Sequence, residues 1–189
     1  MNGDVSWART PEPWSCDGPM HADLLAAKAL VYDPCGFVCS RPVPEAESAG
    51  RVRAHVFTVD GAAVRFRVAG TTPTKAGRFM TVWKRSAGRP IQPYDSEDPV
   101  DLFVISARDA DHFGQFAFPR DVLCEQGIVS RNGSGGKRAF RVYPRWVTTT
   151  HRQAGRTQEW QADYFLRVGL PAEEGGAVGS GRSRALHHP

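Results

Sequence analysis

The sequence predicts a single α+β domain whose mixed, mostly antiparallel sheet of about six strands is flanked by helices. Three observations carry that expectation. Segments 52–59, 63–69, 79–84 and 138–143 alternate apolar and polar residues with the period of a half-buried strand. Asp60-Gly61 separates the first two, a pair suited to a two-residue antiparallel hairpin turn. Segments 20–32 and 157–168 place apolar residues at helical spacing instead. The resulting order is helix, three-strand meander, strand pair, short helix, strand, helix, which is the pattern of an α+β fold.

The elements are justified in turn. Residues 1–19, with Trp7 and Trp14 among prolines and polar residues, read as a flexible arm. In 20–32, Leu24, Ala27 and Val31 share one helical face, with Asp23 near the start and Lys28 on the other side. Asp33-Pro34 ends this helix, because a residue preceding proline avoids the helical region. A connector over 35–50 follows. Strands 52–59 and 63–69 pair across Asp60-Gly61, and 79–84 extends them into a meander in one sheet with 138–143. Leu102-Phe103-Val104-Ile105 does not alternate, which fits a strand buried on both faces, and 113–118 returns beside it. Pro119 and Asp121 open a short helix over 120–126 that Gly127 stops. Residues 132–136, Asn-Gly-Ser-Gly-Gly, form a flexible loop. The last helix covers 157–168, with Thr157 as N-cap. A folded domain over 20–170 is then followed by a Gly/Ser-rich tail over 171–189, expected to be disordered.

With 189 residues, the chain can build one good core and has no need of a second domain. Apolar residues are 41% and charged residues 23%, as in ordinary globular proteins. No run approaches the ~18 apolar residues of a membrane span, so no membrane insertion is expected. No basic segment followed by an apolar one opens the chain, and the expected address is the cytoplasm. There, Cys16, Cys35, Cys39 and Cys124 read as reduced thiols; Cys35 and Cys39 are spaced for neither zinc nor redox chemistry. His21, His55, His112 and His151 are isolated, and no nucleophile or metalloprotease motif occurs. No catalytic residue, metal or cofactor is therefore assigned.

The net charge is only +4, but the charges are segregated. Residues 61–94 hold Arg65, Arg67, Lys75, Arg78, Lys84, Arg85 and Arg89 without one acid. Residues 126–158 hold Arg131, Lys137, Arg138, Arg141, Arg145, Arg152 and Arg156, again without one. Brought together, these windows make one strongly basic face. The turn 71–77 lacks the glycine-lysine pattern of a nucleotide P-loop. The expected partner is nucleic acid or a nucleotide, with Lys75, Arg78, Lys84, Arg85, Lys137, Arg138 and Arg141 facing phosphates. Trp146, beside Arg145 and just after Pro144, is the expected exposed aromatic for base stacking. Two other readings stand beside this one. A metal-dependent nuclease-like enzyme would use Glu45, Glu47 and Lys84, although Val82 stands where an acid two residues before the lysine is needed. A protein-interaction module would present the same basic face to an acidic partner.

Several motifs together resemble the MepB-like family of bacterial proteins. They include Thr72-Pro73-Thr74-Lys75-Ala76-Gly77-Arg78-Phe79, Trp83-Lys84-Arg85, Phe113-Gly114-Gln115-Phe116-Ala117-Phe118-Pro119, Arg141-Val142-Tyr143-Pro144 and Thr157-Gln158-Glu159-Trp160-Gln161. The resemblance spans about residues 45–166 and implies no assigned activity. A nuclease-like sheet is an analogy at the level of the fold.

Overall fold

The computed structural model describes residue 14 and residues 20–45, 53–84 and 90–169. The expected tail over 171–189, the rest of the arm over 1–19, and Glu47, Arg85 and Arg89 lie outside the described residues. Helix α1 (Ala22–Ala27) runs on into a π-helical turn (Lys28–Tyr32). Strands β1 (Val43–Pro44), β2 (Ala54–Val59) and β3 (Ala62–Val68) follow. Next come β4 (Gly70–Thr71), β5 (Arg78–Thr81), β6 (Trp83–Lys84), β7 (Gln92–Pro93), β8 (Leu102–Arg108) and β9 (Phe113–Pro119). Helix α2 (Arg120–Glu125), β10 (Ala139–Val142), α3 (Arg152–Ala162) and β11 (Phe165–Arg167) complete the order.

The main sheet has six strands in the order β1-β2-β3-β8-β9-β11. The β2–β3 hairpin turns through Asp60 and Gly61, both at positive φ (48° and 91°), the backbone that this residue pair accommodates. β8 and β9 form the second expected hairpin. β3 pairs parallel with β8, which makes the sheet mixed. The apolar run of β8 explains its place. Leu102 and Val104 face a core with Leu24, Tyr32, Phe57 and Phe66, whereas Phe103 and Ile105 face one with Met80, Phe116, Phe118 and Val142. A strand apolar on both faces needs a neighbour on each side and a layer above and below. Each such large side chain, fully buried, is worth roughly 1.5–3 kcal/mol.

One sheet was expected to hold 63–69, 79–84 and 138–143; these segments fall into three sheets instead. β3 takes β8 as its neighbour, and β5 joins a three-stranded sheet, β10-β5-β4. β5 is buried on one face only, through Met80, while Phe79 on the other face is 42% exposed. β6 pairs separately with β7. The expected last helix also differs. It starts five residues earlier and stops at Ala162, after which Phe165–Arg167 pairs with β9 and closes that edge of the sheet. Thr157 therefore lies inside α3, where its hydroxyl donates to the Gln153 carbonyl at 2.9 Å. The connector 35–50 contributes β1 as the opposite edge strand.

Lys28, expected on the open side of the first helix, is buried. It pairs with Asp33 at 2.5 Å, and its ammonium sits 5.2 Å from the Trp14 ring centroid. Trp14 itself is buried against Phe57. Buried Asp23 ties α1 to β8: Ser106 donates to one carboxylate oxygen at 2.6 Å and Arg108 to the other at 2.5 Å. No helix among the described residues is long and apolar enough to cross a membrane.

Candidate functional site

The two acid-free windows meet at the β5–β10 pair. Arg141 lies opposite Phe79 and Val142 opposite Arg78. Directly opposed residues of an antiparallel pair share a face. Arg141 and Phe79 therefore point to the outer face, and Arg78 lies with buried Val142 on the inner one. The outer guanidinium of Arg141 donates to the carbonyls of Ala76 and Gly77 at 3.2 and 3.4 Å, bracing the turn that carries exposed Lys75. Lys137 and Arg138 lead into β10 and are exposed. Lys75, Lys137 and Arg138 form no ion pair among the described residues.

A cleft of about 480 Å³ runs along β10 beneath α3. Lys137, Arg141, Phe140, Tyr143, His151 and Trp160 contribute to its walls. Helix α3 is held over β10 by two side-chain amides one helical turn apart. Gln161, fully buried, accepts from the Tyr143 backbone N–H at 2.8 Å and donates to the Arg141 carbonyl at 2.9 Å. It thus occupies the edge of β10 as another strand would. Gln158 donates to the carbonyls of Pro144 and Val147 at 3.0 and 2.8 Å. On its inner side Trp160 packs against Phe118 with centroids 5.3 Å apart.

The loop before β10 is tied to Asp95. Asp95 accepts from the Ser130 hydroxyl at 2.6 Å and from the Gly133 N–H at 2.8 Å. The Ser130 hydroxyl, then the N–H groups of Gly133 and Glu97, hold its carboxyl down at about 2. Asp95 therefore remains a charged anchor for the approach to Lys137.

Other expected site residues are placed differently. Arg78 donates to the Thr71 hydroxyl at 2.7 Å and stands 3.6 Å from Asp109. Lys84 is paired with Asp98. Trp146, expected to be exposed, is wedged between His112 and Phe165, with centroids 5.1 and 5.4 Å away. The turn after Pro144 carries it back into the second core instead of outward. Glu45 is held by Arg65 and Arg67, so the carboxylate at Lys84 is that of Asp98. No group of three His, Cys, Asp or Glu among the described residues is arranged to hold a metal ion.

Sequence reasoning read His151 as isolated and overlooked Gln158 and Gln161. The signal for the two glutamines was present: they lie three apart within Thr157-Gln158-Glu159-Trp160-Gln161, hence on one face of a helix.

The family profile described as MepB-like matches residues 46–167. A solved structure, the crystal structure of MepB, is 33% identical and superimposes with a TM-score of 0.65; the match covers 78% of this chain and 97% of that one. No curated protein matches the chain. The match spans the main sheet from β2 to β11, the three-stranded sheet and the cleft beneath α3, and the chain belongs to the MepB-like family.

Proposed function

We propose that this protein binds nucleic acid or a nucleotide, without cleaving it, through the basic surface around β5 and β10. The observation that supports the reading is the β5–β10 register, which pairs a strand of one acid-free window with a strand of the other. On that surface Lys75, Lys137, Arg138 and Arg141 take the phosphate contacts. Arg78 and Lys84 would first have to leave Asp109 and Asp98. The aromatic groups of the cleft supply apolar contact for a base or sugar. On this reading the protein works in the bacterial cytoplasm, and the folded unit is the domain over 20–170.

Titration against DNA, RNA and mononucleotides at several salt concentrations tests it. With about four phosphates neutralised, log affinity for duplex DNA should fall against log salt with a slope of roughly −3.6. Lys75→Ala and Lys137→Ala should each flatten that slope by about one and weaken binding equally for all sequences. Affinity indifferent to salt would instead favour an acidic protein partner.

Catalysis is tested in the same samples. With Mg²⁺ or Mn²⁺ supplied, DNA and RNA should remain intact. Val82 replaces the acid needed before Lys84, and Glu45 already serves two arginines. Cleavage that disappears in Lys84→Ala would establish the nuclease reading instead.

A further inference from the structure

Among the described residues, the aromatic side chain best placed for stacking is Phe79. It lies on β5, the central strand of the three-stranded sheet, and 42% of it is exposed. A single exposed apolar side chain needs no explanation by itself. Its surroundings set this one apart. Across β5, Arg141 opposes it on β10 and Gly70 opposes it on β4, so the three form one row on the outer face. Gly70 puts no side chain beside the ring. A Cβ there would lie 3.8 Å from the Arg53 guanidinium, which therefore stands beside Gly70. The ring is left partly exposed, with Arg141 across from it on one side and Arg53, beside Gly70, on the other.

That arrangement matches an unpaired base and its two phosphates. Every base offers a π-face to a ring, and a base still paired in a duplex has that face covered by its neighbours. We propose that Phe79 is the stacking platform for one base of a single-stranded nucleic acid, with Arg53 and Arg141 taking the adjoining phosphates. The proposal rests on the binding reading above and names its ligand class.

A short single-stranded oligodeoxynucleotide carrying 2-aminopurine reports stacking by loss of its fluorescence. The parent protein should quench it. Phe79→Leu keeps an apolar side chain without a ring face, and it should abolish quenching and weaken single-strand binding about 5- to 150-fold, the equivalent of ~1–3 kcal/mol per stacked base. Phe79→Trp should retain both, and duplex affinity should be the same in all three proteins. The proposal is overturned if Phe79→Leu binds and quenches like the parent. It is equally overturned if duplex affinity falls by the same factor as single-strand affinity. A parent protein that binds no oligonucleotide at low salt would overturn the binding reading itself, a result distinct from either of these.

Discussion

Gln161→Leu should destabilise the protein by about 2–4 kcal/mol, although leucine is of similar size and the position is fully buried. By volume alone the exchange would cost little, and by hydrophobicity it would be favourable. The side-chain amide decides the outcome. It satisfies the Tyr143 N–H and the Arg141 carbonyl at the edge of β10. Leucine would leave both backbone groups without their partner, and each such buried group costs ~1–3 kcal/mol. Urea denaturation would show the loss as a lower midpoint at an unchanged slope. Glu159→Gln, an exposed change two residues away on the same helix, should stay within about 0.5 kcal/mol of the parent. Because the same amide fastens α3 over the cleft, Gln161→Leu should also weaken ligand binding more than it alters the salt slope. A loss below about 1 kcal/mol would mean that water replaces both bonds and that α3 is held by Trp160 and Gln158 alone.

The case of Gln161 illustrates what the sequence does and does not make legible. Local patterns came through. The apolar run of β8 required a central strand, Asp60-Gly61 required a hairpin, and the alternation in β10 placed Arg141 opposite in sense to Val142. Nonlocal pairings did not. β3 meets β8 across a long intervening segment, and nothing in the periodicity of either strand names its parallel partner. β11 was hidden because Tyr164-Phe165-Leu166 continues a helical apolar face as readily as it forms a short strand. The charge windows were real in sequence but not uniformly open in space. Glu45, Asp98 and Asp109 reach in from outside them to pair with Arg65, Arg67, Lys84 and Arg78. Composition counts charges, whereas a binding surface depends on which of them remain unpaired after folding. Trp146 departed from its expected role for a related reason. Flanking charge suggested exposure for Trp146, but packing against His112 and Phe165 decided otherwise.

The second large effect is expected at Gly114, where alanine should cost about 2–3 kcal/mol and loosen β11. Gly114 lies on β9 opposite Arg167, and the ring of Phe165 leans over it. A Cβ at this position would stand 2.3 Å from the Phe165 ring and 2.8 Å from the Leu166 carbonyl oxygen. Real side chains do not tolerate either approach, and one of the contacts is backbone, so a rotamer change alone cannot relieve the clash. The ring has little room to retreat. Phe165 packs with centroids 4.7 Å from Phe116 and 5.4 Å from Trp146. Removing that ring by Phe165→Ala should itself cost about 3–5 kcal/mol through lost burial and a cavity. The two changes should not add. In the double variant the new methyl group enters space that the ring has vacated, so the combined loss should fall short of the sum by at least ~1 kcal/mol. Hydrogen exchange should locate the Gly114→Ala effect in β11 and the adjoining residues of β9, with β2 and β3 protected as in the parent. Strict additivity of the two losses would show that the ring and Gly114 do not constrain one another and that β11 is positioned by its backbone bonds alone.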